Sequence, residues 1–174
     1  MTPLVRPATE ADAAACAEIY RPYVLDTVIT FETEPPTVQE MATRIAAAGV
    51  MYEWLVCEID GEVVGYAYAH QFNPRAAYQW SAETSIYMGR NRVRVGGGRM
   101  LYSELLSRLA QRGFRRAFAG IAQPNEASIA FHVSFGFRPV GHYQRVGWKL
   151  GAWRDRYLSS ADDRPSNRRA TTSC

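Results

Sequence analysis

Cysteine is scarce in this chain: Cys16, Cys57 and Cys174 are the only three in 174 residues, widely spaced and without a Cys-x-x-Cys pair. An odd, scattered set argues against a disulfide framework and against the paired thiolates of a zinc site. Cys16 and Cys57 fall in apolar periodic segments and read as small core residues. Long apolar runs are also missing. None approaches the ~20 residues that a membrane helix needs, and the opening MTPLVRPATEADA carries no signal-peptide apolar core. A reducing cytoplasm and no membrane partner are the expectations. Charge of one sign is in small excess, a formal net of +3. Much of it sits between residues 90 and 99, which reads as a local anion site and not as a broad nucleic-acid face.

Apolar residues make up 47% of the chain, enough for a sizeable core and against disorder. The length suits about one domain, expected over residues 1–158. Residues 159–174 are rich in Ser, Arg and Thr without apolar period, and are expected to be a disordered tail. Leu4 to Arg6 reads as a first strand. Thr9 with Asp12, and Thr37 with Glu40, make two capping boxes. The first opens a helix that buries Cys16, Ile19, Tyr20 and Tyr23; the second opens one lined by Met41, Ile45 and Ala48. Asp60-Gly61 is a tight-turn signal that predicts a hairpin of Trp54–Ile59 with Glu62–His70. Further strands are expected near Ala82–Met88, Ala117–Ile121, Arg138–Val146 and Trp153–Leu158. Strands mixed with helices on one twisted sheet make an α/β or α+β sandwich.

The stretch from Ser85 to Leu109 carries the most chemistry. A short apolar strand leads into a loop holding Arg90, Arg92, Arg94 and the three glycines Gly96, Gly97 and Gly98. A helix follows with Leu101, Leu105 and Leu109 on one face. Glycine lets backbone N–H groups approach a ligand, and a helix N-terminus adds orphan donors and a positive dipole end. With Arg99 at its start, this describes a phosphate cradle; a glycine turn with solvated arginines is the plainer alternative. Arg99 and Met100 stand where a Walker A loop needs Lys and Ser/Thr, and Leu101 stands where a dinucleotide fingerprint needs a third small residue, so both of those readings fail.

The pattern resembles the pyrophosphate loop of the GNAT acetyltransferase superfamily, Gln/Arg-x-x-Gly-x-Gly/Ala, with Gly96 and Gly98 on its glycines and Val93 in place of Gln or Arg. Residues 121–137, IAQPNEASIAFHVSFGF, resemble that family's Asn-x-x-Ser helix start and its Gly-Phe helix end. The blocks ITFETEPPT, NPRAAYQWSAETSIY and VGWKLGAWRD are similar to those of the phosphinothricin, methionine sulfoximine and methionine sulfone acetyltransferases. Together the blocks cover residues 3–158.

The resemblance implies a GNAT fold, a central mixed twisted sheet of about seven strands flanked by helices. It implies acetyl-CoA as co-substrate, no metal, a small-molecule amine acceptor, and a homodimer. Coenzyme contacts are implied for Ile86, Tyr87 and Met88, for the loop Val93, Arg94, Val95, Gly96, Gly97, Gly98 and Arg99, and for Asn125 and Ser134. Asn125 also suffices as a plain helix cap.

Glu83 is implied as general base on the amine, although an outward strand position also suits a Glu. His132, amid Ala130, Phe131 and Val133, is either a satisfied core histidine or the group beside the sulfur, as general acid or positioning group. Tyr102 and Tyr143 are alternatives for that proton. Asn73, Arg75 and Phe31 are implied in the acceptor pocket, where an arginine would grip a carboxylate bidentately; a solvated Arg75 and a core Phe31 are the alternatives. Trp80 could wall the same pocket, and Lys149 sits in a matching block with no derivable role. Other amines (a polyamine, an aminoglycoside or a protein N-terminus) form the second reading. A nonenzymatic nucleic-acid binder is the remote one.

Overall fold

The computed structural model describes residues 3–90 and 96–162. In chain order the elements are β1 (Leu4–Pro7), α1 (Ala13–Asp26), α2 (Val38–Met51), β2 (Trp54–Ile59), β3 (Glu62–Gln71), β4 (Ser81–Met88), α3 (Gly97–Gln111), β5 (Arg116–Ala122), α4 (Glu126–Val133), β6 (Arg138–Lys149) and β7 (Ala152–Asp162). The strands form one seven-stranded sheet in the order β1-β2-β3-β4-β5-β7-β6. Every neighbouring pair is antiparallel except β4 with β5. This mixed, helix-flanked sheet of seven strands has the architecture that the resemblance implied.

Strand alternation divides the core into two layers. Leu55, Cys57 and Ile59 of β2 pack toward Leu101, Leu105 and Leu109 of α3. Trp54 and Val56 point the other way, into Cys16, Tyr20, Met41 and Ile45 of α1 and α2. The leucine spacing of α3 thus places all three side chains in the core. Both capping boxes are present, with Asp12 also taking two bonds of 2.9 Å from Arg6. Asp60 and Gly61 turn the β2–β3 hairpin with φ of 52° and 84°.

One boundary differs from the sequence expectation. β7 runs through Ser159, Ser160 and Asp162, which composition had assigned to a tail. The reason is pairing: Arg116↔Asp162 and Phe118↔Ser160 extend the ladder. Arg116 donates to Ser160 Oγ at 3.2 Å and pairs with Asp162 at 3.0 Å. The rest of that segment, residues 163–174, lies outside the described residues, as do Val93, Arg94 and Val95 of the expected phosphate loop.

β4 and β5 set up the site. Their parallel ladder holds for only Ser81↔Arg116, Ala82↔Ala117 and Glu83↔Phe118. Beyond Glu83 the strands part. The remaining edge of β4, Thr84 to Met88, faces a notch instead of a neighbouring strand.

Candidate active site

On β4, Glu83, Ser85 and Tyr87 alternate onto one face of the sheet, and Gly120 and Ala122 of β5 share it. Together with Tyr20, Phe31, Glu32, Tyr68, His70 and Arg156 they line a pocket of about 430 Å³. A narrower passage of about 50 Å³ runs through the notch, lined by Thr84, Ile86, Ile121, Asn125, Ser128 and His132. It also touches Ser85, Tyr87 and Gly120, so it joins the pocket on one face to α4 on the other.

Glu83 is the centre of the pocket's charge. Its side chain is 14% exposed and pairs with the Arg156 guanidinium. Arg156 comes from β7, two strands away in the sheet order, and reaches Glu83 across β5. Gly120 leaves that crossing open: a Cβ there would overlap the guanidinium and make it shift. Glu32 is held by Arg44, from outside the lining, at 2.7 and 3.0 Å and by the hydroxyl of the pocket residue Tyr20 at 3.0 Å.

The loop between α1 and α2 forms one wall. Phe31 packs on Gly147 and lines the pocket. Lys149, buried at the end of β6, donates from Nζ to the Thr30 carbonyl at 2.7 Å. Burial pushes its ammonium below the usual lysine range, with Glu32 opposing. The VGWKLG block therefore serves the architecture, by pinning the wall that carries Phe31. Neither Arg156 nor Lys149 could be assigned from sequence, because the partners lie 73 and 119 residues away.

His132 lies in the notch, 5% exposed. Its Nδ1 is 2.8 Å from the Ser128 carbonyl, which can only accept, so Nδ1 carries the proton. Nε2 is then a bare lone pair, buried and without a partner among the described residues. Burial pushes the ring below the usual histidine range. The resting imidazole is a hydrogen-bond acceptor with no proton on Nε2 to give. This favours the positioning role over the general acid role.

Tyr102 is removed from the proton-donor candidates by its bonds. Thr84 Oγ1 donates to the Phe118 carbonyl at 2.9 Å, so the Tyr102 hydroxyl, 2.8 Å from Thr84 Oγ1, commits its proton there. Tyr143 is exposed on β6.

At the far end of the notch, α3 starts at Gly97 behind Gly96, whose φ of 76° is a left-handed turn that favours glycine. The Arg99 and Met100 N–H groups donate to the Gly96 carbonyl at 3.1 Å; those of Gly97 and Gly98 precede the first bond of the helix. Arg99 leans over Phe135 at 5.0 Å and donates to Ser134 Oγ at 3.0 Å, joining the α3 start to the α4 end. Asn125 caps α4 by accepting from the Ser128 N–H at 3.2 Å. A free strand edge, a glycine-opened helix start and the unpartnered Nε2 of His132 together offer backbone donors and one buried acceptor along the notch. It suits a long ligand with an anionic end and amide groups, as acetyl-CoA has.

The acceptor residues divide. Phe31 and Glu83 line the pocket; Asn73 and Arg75 do not. They sit in the turn after β3, where Asn73 Oδ1 accepts from the Arg75 N–H at 3.0 Å and the Arg75 residue is exposed. Trp80 is also exposed, beside Gly113 at the opposite end of β4. Among the described residues no cluster of metal-ligating side chains occurs, and no helix is long and apolar enough to cross a membrane.

Comparison with known proteins agrees with this geometry. Residues 5–158 match the family model described as an acetyltransferase (GNAT) domain. The chain is 37% identical over 151 residues to the phosphinothricin N-acetyltransferase of Streptomyces viridochromogenes, covering 87% of this chain and 82% of the relative. It is 34% identical over 152 residues to the L-methionine sulfoximine/L-methionine sulfone acetyltransferase of Salmonella typhimurium, covering 87% and 89%. Among solved structures, a GNAT superfamily phosphinothricin acetyltransferase from Sinorhizobium meliloti, crystallised with AcCoA, superposes with a TM-score of 0.89. The identity is 38%, and the match covers 93% of this chain and 89% of that one.

Proposed function

Because the chain belongs to the GNAT acetyltransferase family and is an acetyl-CoA-dependent N-acetyltransferase, we propose that it acetylates the α-amine of a small amino-acid-like acceptor. The acceptor is of the phosphinothricin, methionine sulfone or methionine sulfoximine type, and transfer is direct, within a ternary complex. The observation that carries this reading is the Glu83–Arg156 pair in a pocket that opens, through the notch, onto the free edge of β4. Names of relatives supply the acceptor class; the pocket supplies a base and a cation beside it.

Acetyl-CoA supplies an activated acyl group, and this chain's residues do the rest. The helix start at Gly97 and Gly98, with Arg99, holds the anionic end of the coenzyme. The β4 edge from Ile86 to Met88 offers backbone groups to its extended arm, and Asn125 lies along the same groove. A β4 N–H facing the notch polarises the carbonyl under attack. Glu83 takes the proton from the amine as it attacks. The Nε2 of His132 accepts from an amide N–H of the coenzyme's arm beside the sulfur, and the departing thiolate takes its proton from solvent. Both cysteines of the described residues are buried in the core and outside the pocket, which supports transfer without a covalent thiol intermediate.

The protein works in the cytoplasm as a homodimer on this reading. Support for pairing comes from the edge strand β6 and its neighbour β7, which expose Val140, Tyr143, Val146, Trp148 and Trp153. Sedimentation at several concentrations tests it.

The deciding assay measures thiol release from acetyl-CoA against a panel: the three amino-acid analogues, spermidine, an aminoglycoside and a peptide N-terminus. Turnover confined to the analogues, with intersecting initial-rate lines, is expected. Preference for spermidine or the peptide would overturn the acceptor class, and parallel lines would overturn direct transfer.

A further inference from the structure

We infer that His70 empties the base: it takes the amine's proton from Glu83 and passes it to solvent. The inference rests on the general-base role proposed above for Glu83 and adds the group that resets it.

The proton balance calls for such a group. An amine with a pKa of about 8 enters mostly as the ammonium and leaves as an amide. Its nitrogen therefore sheds two protons while the nitrogen–carbon bond forms and the carbon–sulfur bond breaks. The departing thiolate takes one proton from solvent, so each turnover releases one net proton. Glu83 holds one proton at a time, and must lose it before taking another.

Register, tautomer and elimination point to His70. In the β3–β4 ladder His70 and Glu83 stand directly opposite each other, which puts their Cβ atoms about 5 Å apart on one face of the sheet. Both line the pocket. Glu83 accepts from Arg156, and His70 Nδ1 lies 3.1 Å from the Gln71 carbonyl, so one bridging water completes the path between them. That carbonyl can only accept, so Nδ1 carries the ring proton and Nε2 presents a lone pair. The Glu83 O–H gives its proton through the water to Nε2, and the imidazolium, on an exposed residue, releases one to solvent.

An imidazole takes up and gives away protons near neutral pH. The other titratable groups of the lining do not serve. Burial pushes the Tyr20, Tyr68 and Tyr87 hydroxyls above the usual tyrosine range, and Arg156 keeps its protons. Glu32 is bound by Arg44, which shares a second cavity with His70. With Glu32 and Glu83 each paired to an arginine, neither carboxylate of the lining is free to trap the imidazolium.

The test measures thiol release by the full chain at about pH 7.5 in dilute buffer, with methionine sulfone as acceptor. His70→Ala should lower kcat about tenfold, less than the 10²–10⁴ of a lost base, because Glu83 still takes the first proton. The KM values for acceptor and acetyl-CoA should hold. Added imidazole should restore kcat in the variant and leave wild type unchanged, which also tests that solvent reaches this position in the assembled protein. A ring that merely packs on Tyr68 would not be replaced in this way. His70→Gln, closer in shape, should show the same loss. In a Glu83→Gln background His70→Ala should add nothing, since no proton then passes through residue 83. An unchanged kcat in dilute buffer, a loss that imidazole does not restore, or a fully additive loss in that background would overturn the inference and leave the base in place. A Glu83→Gln variant with near-wild-type kcat would overturn the base, and the relay with it.

Discussion

Replacing Glu83 by Gln separates chemistry from architecture at one atom. The amide keeps the shape of the carboxylate and an oxygen that can still accept from Arg156. What it loses is the capacity to take a proton. The ion pair itself is a weak contributor to folding: Arg156 is more than one-third exposed, and such pairs are worth at most about 1 kcal/mol. Losing a positioned base costs roughly 10²–10⁴ in rate, about 3–5 kcal/mol of barrier. The expected effect on kcat therefore exceeds the expected effect on stability several-fold. The pH profile adds a second signature. An α-amine titrates at about 8 in a peptide, and higher beside a free carboxylate. Without the base, turnover depends on amine already deprotonated in solution. Activity of the variant should then climb about tenfold per pH unit below the amine's pKa, while wild type climbs less. Thiol release measured from pH 6.5 to 9, with calorimetry of acetyl-CoA binding as control, reads both effects. A variant with near-wild-type kcat, an unshifted profile and intact coenzyme binding would refute the assignment. A water chain or a second acceptor molecule would then have to carry the proton.

Gly98→Val should fold, since a Cβ there meets Met88 at 3.5 Å and Ile86 at 3.9 Å, ordinary contacts. Its added bulk should lower acetyl-CoA affinity at the helix start, and wild-type affinity by calorimetry would count against that site. His132 is held below the usual histidine range by burial, so the unfolded chain binds the proton more readily than the folded one. The stabilisation is complete above about 6.5, the unfolded value, and is lost as pH falls through the folded pKa. Replacing His132 by Gln should flatten the acid arm of a melting-temperature profile between pH 7 and 5; an unchanged slope would contradict it. Lys149→Met removes the bond to the Thr30 carbonyl, for a loss of about 1–3 kcal/mol measurable as a lower urea midpoint. The same change should raise the acceptor KM by loosening Phe31, and an unaltered KM would sever Lys149 from the pocket.

Local signals were legible in the sequence because their causes are local. The capping boxes, the Asp60-Gly61 turn, the leucine face of α3 and the Asn125 cap each need only neighbours close along the chain. The roles implied for Glu83 and His132 came through resemblance alone, since nothing in their immediate sequence distinguishes them from a surface glutamate and a core histidine. What stayed hidden depends on pairing across the sheet. Arg156 reads as one more arginine in WRDRY until β7 inserts beside β5 and Gly120 opens the way. Ser159 and Ser160 read as tail because their burial comes from the ladder to β5 and from Arg116, not from apolar character. The tautomer of His132 depends on a carbonyl one helical turn away, which no composition records. Arg75, which a motif position implied in the acceptor pocket, sits in an exposed turn outside this chain's pocket lining.

The three-pair ladder between β4 and β5 also divides the chain in its own order. Everything up to Gln111 builds β1–β4 with α1–α3, and everything from Arg116 builds β5–β7 with α4. Beyond that ladder, the halves also meet where Tyr102 packs among the rings of Phe131, His132 and Phe137. Glu83 belongs to the first piece; Arg156, Asn125 and His132 belong to the second. On the proposed reading the reaction centre is thus a joint between two consecutive fragments, and a cut between residues 112 and 115 would part Glu83 from Arg156, Asn125 and His132 without breaking any element. Co-expression of the two fragments tests whether that joint re-forms, with acetyl transfer as the report that the halves have docked.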